Sequence, residues 1–231
     1  MSLRHRRLTP EVMDQPDLSP ARHEAALRGL SRINFWSRSD AIVWPALAEL
    51  ARRQGTVRIL DLATGGGDIL LRLWRRACRA GLDFRLEGCD LSPVAIDHAR
   101  ALAARAGADV RFFLHDALNG PSLEGYDASM CSLFLHHLDE EQAEVLLRRM
   151  AAMSRLVLVN DLRRCLAGLA LAHVASRILT LSPVVHTDGP RSVENAFTIE
   201  EAHALAERAG LHGAVFTKHW PFRFLLRWSR P

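Results

Sequence analysis

The stretch VRILDLATGGGD, residues 57–68, decides the fold of this chain. Its first six residues are mostly apolar and glycines follow soon after, which predicts a short buried strand. Three successive glycines let the backbone turn sharply and let a ligand approach where Cβ atoms would clash. A helical pattern begins at Asp68, so the turn leads into a helix N-terminus with unpaired N–H groups. Such a turn favours a nucleotide-like ligand.

The alternation of strand and helix continues from this turn to residue 160. Further strands are predicted at residues 84–90, 110–114, 126–133 and 156–160, and helices at residues 68–80, 93–106 and 139–153. The connections between them are short. This arrangement predicts an α/β fold in which helices cover both faces of a mostly parallel sheet.

The segments outside this alternation have a different pattern. Residues 1–15 are predicted to be a frayed arm, and residues 181–196 a loop, because Pro183, Gly189 and Pro190 interrupt the latter. Two closing segments, separated only by Trp220 and Pro221, are expected to form a hairpin. The predicted helices here are residues 18–53 (two helices), 163–180 and 198–210, and the predicted closing strands are residues 212–219 and 222–229.

Composition excludes several classes of protein. The chain has 231 residues, of which 48% are hydrophobic and 24% charged, as in a single globular domain. Four cysteines without a Cys-x-x-Cys pair argue against a zinc ribbon or a disulfide scaffold. A net charge of +4 is too small to indicate a nucleic-acid partner. Because no apolar stretch follows the basic N-terminus, we expect a cytoplasmic protein without stable membrane insertion, and a homodimer stays open.

The residues around the glycine turn narrow the choice of ligand. A P-loop requires Lys and Ser or Thr after the last glycine, and this chain has Asp68 and Ile69. A dinucleotide site requires a third spaced glycine where this chain has Leu70, which argues against a nicotinamide dehydrogenase. The carboxylate of Asp68 would repel a phosphate and suits a cationic group. We therefore predict S-adenosyl-L-methionine, which has an ammonium, a sulfonium and no phosphate, as the cofactor.

From residue 57 to residue 231 the chain resembles the class I S-adenosylmethionine-dependent methyltransferases. Residues 61–67 match the acid-aliphatic-x-x-Gly-x-Gly motif of this family. The resemblance implies that Asp90 binds the ribose hydroxyls, since a carboxylate can accept two hydrogen bonds, and that Asp116 meets the adenine amino group. The cofactor site that it implies consists of Asp61, Ala63, Thr64, Gly65, Gly67, Asp90, Leu91, Asp116, Ala117 and Ser132.

The same resemblance implies a Rossmann-like sheet of order 3-2-1-4-5-7-6 with an antiparallel last strand. We expect a single domain in four parts. These are an N-terminal helical cap (1–54), the cofactor-binding core (55–161), a lid insertion (162–198) and a C-terminal helix with the antiparallel hairpin (199–231).

The acceptor is indicated by a narrower resemblance. The chain is similar to the small-molecule branch of the family, near the ubiquinone and menaquinone methyltransferases and the O-methyltransferases of bacterial polyketide phenols. This implies secondary metabolism and O-methylation of a hydrophobic phenol, resorcinol or quinol. The alternatives are C-methylation of a quinone-precursor ring, an RNA or protein methyltransferase, and a non-catalytic cofactor-binding module. An apolar wall for the acceptor is expected from Leu166, Leu169, Leu171, Val174, Ile178 and Leu181.

O-methylation of a phenol, whose pKa is about 10, is faster with a general base. The candidates for this base are His136, His137, His186 and Asp161. His137 is also a candidate for shaping the substrate site, and Arg191 for steadying a substrate oxygen.

Two further patterns resemble a metal site and a nucleic-acid-binding strip, but we predict neither. His136 and His137 with Asp139 suggest a metal, but adjacent residues on a helical turn diverge, so we predict no metal. Residues 218–230 interleave aromatic and arginine residues, which we interpret as a strand with alternating faces rather than a nucleic-acid strip.

Overall fold

The computed structural model describes residues 3–15 and 17–230 and has one seven-stranded sheet of order β3-β2-β1-β4-β5-β7-β6. Strands β1 to β5 are parallel to one another, and β7 runs antiparallel to both β5 and β6. The predicted fold class and strand order are confirmed. The strands are β1 Val57–Leu62, β2 Phe84–Asp90, β3 Val110–Leu114, β4 Tyr126–Ser132, β5 Ser154–Leu162, β6 Val215–His219 and β7 Arg223–Ser229.

Helices cover both faces of this sheet, and additional helices lie beyond the ends of its strands. They are α1 Pro20–Trp36, α2 Ser39–Gln54, α3 Asp68–Ala80, α4 Pro93–Ala106, α5 Glu140–Met153, α6 Leu166–Leu179, α7 Pro183–Asn195 and α8 Ile199–Arg208, with 3-10 turns at Val12–Asp14 and Leu135–His137. Within the described residues, none of these helices combines the length and apolar character that crossing a membrane requires.

The alternation of side chains along β1 produces two cores. Val57 and Ile59 pack with α2, α3 and α4 on one face, whereas Leu60 and Leu62 pack with α5 and α8 on the other. All four side chains are fully buried, as expected for a central parallel strand covered on both faces. The carboxyl ends of β1, β2 and β4 therefore meet at one edge, where the loops that follow them form the floor of a cavity.

Local side-chain caps explain where the core helices begin. Ser92 accepts a hydrogen bond from the backbone N–H of Ala95 at the start of α4. Asp139 and Gln142 form a reciprocal capping box at α5, and Thr198 and Glu201 form another at α8. Each cap satisfies N–H groups that have no partner within the helix, so these starting points are encoded in the neighbouring sequence.

The prediction of a loop at residues 181–196 is wrong, because α7 occupies most of it. Pro183 lies in the first turn, where proline costs nothing, and Pro190 is tolerated within the helix. Gly189 lets α7 approach α6 closely, since a Cβ there would lie 3.3 Å from the Cβ of Ser176. Tertiary packing overrides the local signals.

The prediction of a frayed arm is also wrong for the described residues 3–15, which we call the strap. The strap lies along α7, and the carboxylate of Asp188 accepts hydrogen bonds from the backbone N–H groups of Val12 (2.9 Å) and Met13 (3.0 Å). Asn195 bonds the backbone of Thr9 in both directions. Together the strap, α1, α6 and α7 form a cap over the carboxyl ends of the strands.

Candidate active site

One cavity of about 880 Å³ lies between the strand ends and the cap. Its strand-end side is formed mainly by polar groups, among them Thr64, Asp68 and Asp90. The helices of the cap contribute mainly apolar side chains, which include Leu27, Leu30, Leu171, Val184 and Val185. The cavity can therefore accommodate a polar ligand and an apolar ligand side by side.

The glycine turn has the backbone that only glycine adopts readily. Gly65 and Gly67 have φ angles of +54° and +73°. A Cβ on Gly67 would lie 2.7 Å from the Phe112 ring and 2.9 Å from the Cβ of Ala99. Gly67 itself lies behind the cavity wall, so it permits close packing of the turn, whereas Gly65 lines the cavity directly.

Asp90 connects the ends of the first two strands. One carboxylate oxygen accepts a hydrogen bond from the N–H of Gly65 (2.8 Å), and the other from the N–H of Ser92 (2.9 Å). Burial raises the pKa of this carboxyl group although both hydrogen bonds lower it. The side chain is thus held rigidly in the cavity wall, where it can accept further hydrogen bonds from a ligand hydroxyl.

Negative charge is concentrated at this end of the cavity. Burial raises the pKa of Asp61 to about 7, and the nearby carboxylates of Asp68 and Asp90 add to this effect. Its Oδ2 accepts a hydrogen bond from Thr64 (2.8 Å), but its Oδ1 is buried without a hydrogen-bond partner. Neighbouring carboxylates raise each other's pKa, and a nearby cation reduces the repulsion between them. These residues therefore fit a positively charged ligand.

The remaining predicted cofactor residues lie along the same wall. Leu91 is 71% exposed, which leaves an apolar surface available to a flat ring. Asp116 accepts hydrogen bonds from the backbone N–H groups of Leu118 (2.8 Å) and Asn119 (3.0 Å), which lower its pKa against the opposing effect of burial. Ala63, Ala117 and Ser132 also line the cavity, and the Ser132 hydroxyl has no hydrogen-bond partner. Asp61, in contrast, lies behind Thr64 and does not line it.

His136 is buried at the cavity, where the strap meets the 3-10 turn Leu135–His137. Its Nδ1 lies 2.6 Å from Oδ1 of Asp161, whose Oδ2 accepts a hydrogen bond from the backbone N–H of His136 (2.9 Å). Its Nε2 lies 3.6 Å from Oε1 of Glu11. Burial lowers the pKa of His136, but the two carboxylates outweigh it and raise the pKa to about 10.

His137 lies beside it and faces the cavity. Its Nδ1 is 2.7 Å from Oδ2 of Asp14, and its Nε2 is 3.8 Å from Oε2 of Glu11. The two imidazole centroids are 4.5 Å apart. The expectation that these adjacent side chains diverge is wrong, because residues Leu135–His137 form a tight 3-10 turn.

Comparison with known sequences identifies the domain. Residues 59–155 match the family model described as a methyltransferase domain. Over 115 residues the chain is 39% identical to a demethylmenaquinone methyltransferase of Thermus thermophilus, and the alignment covers 48% of this chain and 50% of that protein. A release factor glutamine methyltransferase of Agrobacterium fabrum is 45% identical over 69 residues, which are 29% of this chain and 22% of that protein. The chain thus spans half the length of the first relative and less of the second.

Solved structures share the fold at low sequence identity. A plantazolicin methyltransferase in complex with S-adenosylhomocysteine has a TM-score of 0.64 and 17% identity, over 94% of this chain and 92% of that chain. The magnesium protoporphyrin IX methyltransferase of Synechocystis PCC 6803, also with bound S-adenosylhomocysteine, has a TM-score of 0.58 and 14% identity, over 84% of each chain. Residues 59–155 thus match a methyltransferase domain, in a chain with the fold of the class I S-adenosylmethionine-dependent methyltransferases. S-adenosylmethionine is the cofactor of that domain.

Three of the sequence-predicted acceptor residues lie outside the lining of the cavity. Nε2 of His186 lies 2.8 Å from the backbone carbonyl of Thr180, and Arg191 donates to the backbone carbonyl of Pro10 (2.7 Å). Asp161 is buried behind His136, so it positions that ring and cannot reach a ligand directly.

The predicted apolar wall is wrong in its composition. Among its six predicted members, Leu171 alone lines the cavity. Leu166, Val174, Ile178 and Leu181 are exposed on the outer side of the cap. The inner face of α6 is formed instead by small residues such as Gly168, Ala172 and Ala175, and α1 and α7 contribute the larger apolar groups.

Two cavity residues of the strap were missed by the sequence reasoning. Glu11 and Asp14 line the cavity and face the histidines, although both belong to a segment that was expected to be frayed. The one available signal is a pair of acids three residues apart in an otherwise basic arm. That signal does not indicate a partner, because the partners are more than 120 positions away.

Proposed function

We propose that this protein transfers the methyl group of S-adenosylmethionine to an oxygen of a small apolar acceptor of the phenol, resorcinol or quinol type. The observation that supports this most is the lining of the cavity described above. Its strand-end side has carboxylates that suit the cofactor, and its cap side has apolar side chains that suit an aromatic ring. Cofactor and acceptor can thus meet in one enclosed volume.

The cofactor supplies a methyl group on a positively charged sulfur. In this proposal Asp90 binds the ribose hydroxyls, Leu91 packs on the adenine and Asp116 meets the adenine amino group. The carboxylates of Asp61 and Asp68 stabilise the positively charged end of the cofactor. Without a nearby cation these two buried carboxylates repel each other. The protein's task at this end is binding and orientation.

The cap positions the acceptor. Leu27, Leu30, Leu171 and Val185 surround the space next to the strand ends and exclude water from it. Methyl transfer is an in-line displacement, and alignment of the two reactants can contribute about 7–11 kcal/mol in favourable cases. A rigid apolar pocket that holds an aromatic ring in one orientation would provide this alignment.

The acceptor hydroxyl is expected at Glu11, His136 and His137, a group that we call the cluster. A phenol with a pKa of about 10 is mostly protonated at neutral pH and is then a poor nucleophile. In this proposal His137, whose ring is oriented by the carboxylate of Asp14, accepts the hydroxyl proton. The cluster therefore supports reaction at oxygen.

The experiment is a product screen. The purified protein is incubated with S-adenosylmethionine carrying a labelled methyl group and with a panel of alkylresorcinols, catechols, hydroquinones and naphthoquinols. We expect a methyl ether as the product, and no product from Asp90→Ala. Methylation of RNA or of a peptide, with none of the small molecules accepted, would overturn the proposal. Binding of S-adenosylhomocysteine without any turnover would indicate a non-catalytic module.

Methylation at a ring carbon is the second candidate. The relative from Thermus thermophilus is named a demethylmenaquinone methyltransferase, which favours a quinol-type acceptor. The same ionised oxygen activates a phenol ring at carbon, so the cluster suits both reactions. Nuclear magnetic resonance of the product separates a methyl ether from a ring methyl group.

A further inference from the structure

The cluster has the geometry of a metal site. The candidate ligand atoms of Glu11, His136 and His137 all lie within 4.8 Å of one another. Oε1 of Glu11 is 3.6 Å from Nε2 of His136, and Oε2 is 3.8 Å from Nε2 of His137. Metal–ligand bonds of about 2.0–2.2 Å place neighbouring ligand atoms roughly 3.3 Å apart, so each of these two Glu11–histidine distances would have to shorten by a few tenths of an ångström. We propose that these three residues bind one divalent transition-metal ion.

The two Nε2 atoms are aimed at the Glu11 carboxylate, yet both are too far from it for a hydrogen bond. A shared proton would draw each pair together to about 2.8 Å. The gap that is left instead is the one that an ion between the three groups would fill.

A second set of contacts fixes the orientation of every ligand. Nδ1 of His136 contacts Asp161 at 2.6 Å, and Nδ1 of His137 contacts Asp14 at 2.7 Å. Carboxylates on Nδ1 hold that nitrogen as the protonated one and leave Nε2 free to coordinate, which is the usual support of histidine metal ligands. The hydroxyl of Ser192 donates to Oε1 of Glu11 (2.5 Å). All three ligands are therefore oriented before an ion arrives.

Donor type and exposure indicate which ion would bind and what it could do. Two imidazoles and one carboxylate suit Zn²⁺, Fe²⁺ or Co²⁺, whereas Mg²⁺ and Ca²⁺ prefer oxygen ligands. All three residues line the cavity, so the open position of a three-ligand site would face the space assigned to the acceptor. The use of the ion for activating an acceptor oxygen rests on the proposed function, but the binding of the ion does not.

The test is a titration of the full-length, tag-free protein after metal has been stripped by a chelator. Co²⁺ is the probe, because its visible absorption reports nitrogen ligands directly, and calorimetry with Zn²⁺ gives the stoichiometry. We expect one ion per chain. His137→Gln and Glu11→Gln are expected to lose the visible bands and to weaken binding at least 100-fold. Asp14→Asn, which removes only the supporting carboxylate, should weaken binding about 10–100-fold.

The matched control is His186→Gln, which changes a histidine of the cap outside the cavity and should bind Co²⁺ like the unaltered protein. A thermal shift with S-adenosylhomocysteine shows that each variant is folded and binds the cofactor. The absence of Co²⁺ binding, or binding that survives both His137→Gln and Glu11→Gln, would overturn the proposal.

Failure of the metal site and failure of the proposed function give different results. If one ion binds through the cluster but no phenol-type acceptor is methylated, the metal site is supported and the proposed function is contradicted. If the metal-stripped protein methylates a phenol at full rate and binds no ion, the proposed function is supported and the metal site is contradicted. Activity that is lost on chelation and restored by Zn²⁺ or Co²⁺ would support both.

Discussion

The two ends of the cavity are assembled in different ways. At the cofactor end, Gly65 donates to Asp90 across 25 positions of the chain, from one strand end to the next. At the acceptor end, Glu11 contacts Ser192 across 181 positions and Asp14 contacts His137 across 123. The first end is a product of neighbouring βα units, whereas the second exists only when the strap closes on α7. We therefore predict that cofactor binding and acceptor binding can be disrupted separately.

The largest expected effect is at the cofactor end. In Asp90→Ala, the N–H groups of Gly65 and Ser92 lose their carboxylate acceptor, and the ligand hydroxyls lose theirs. Hydrogen bonds to charged groups contribute about 1.5–3 kcal/mol each, so affinity for S-adenosylhomocysteine should fall at least 100-fold. Calorimetry measures this. Asp97→Ala, on the exposed side of α4, is the control, and comparable affinity in the two variants would contradict the assignment.

The glycine turn should be the next most sensitive position. Gly67→Ala adds both backbone strain and a clash with Phe112 and Ala99, and overpacking of this kind costs about 1–3 kcal/mol beyond the strain. Gly81→Ala is matched to it, because its φ is +64° but nothing lies within 4 Å of an added Cβ. That change should cost about 1 kcal/mol. Urea unfolding compares the two, and equal losses would mean that the clash is relieved by movement of the turn.

The strap allows the converse experiment at the acceptor end. Asp188→Asn weakens the acceptor for the N–H groups of Val12 and Met13, at a cost of about 1–3 kcal/mol to strap closure. Hydrogen exchange at these two amides should accelerate about 5- to 100-fold, while affinity for S-adenosylhomocysteine stays within about twofold. Asp17→Asn is the control on an exposed position. A parallel loss of cofactor affinity would show that the two ends are coupled.

The smallest effect is a pH dependence confined to the cofactor end. Asp61 has a pKa of about 7 in the free protein, and the ammonium group of a bound ligand would lower it by favouring the ionised carboxylate. Binding below pH 7 then releases a proton, so affinity for S-adenosylhomocysteine should fall up to about tenfold per pH unit as pH decreases from 7. Calorimetry in buffers of different ionisation enthalpy counts the proton. In Asp61→Asn this proton release should vanish, and its persistence would assign it to Asp68 or Asp90.

The parts of the fold that sequence reasoning predicted correctly share one property. The strands and helices from residue 57 to residue 160 are specified by periodicity within each element and by caps such as Ser92 and Asp139, which act within three residues. The carboxylates at the strand ends follow from the same regularity, because parallel strands bring their carboxyl ends to one edge. The motif at residues 61–67, followed in order by Asp90 and Asp116, was enough to predict the cofactor.

The sequence by itself therefore determined the sheet, the glycine turn and the wall of carboxylates, since each depends on local spacing. Only the tertiary structure decided the acceptor end. Pro183, Gly189 and Pro190 resemble loop residues, and α7 forms because it packs on α6 and receives the strap. Glu11 and Asp14 face His136 and His137 because hydrogen bonds across most of the chain hold the strap there, and no local pattern encodes contacts at that separation.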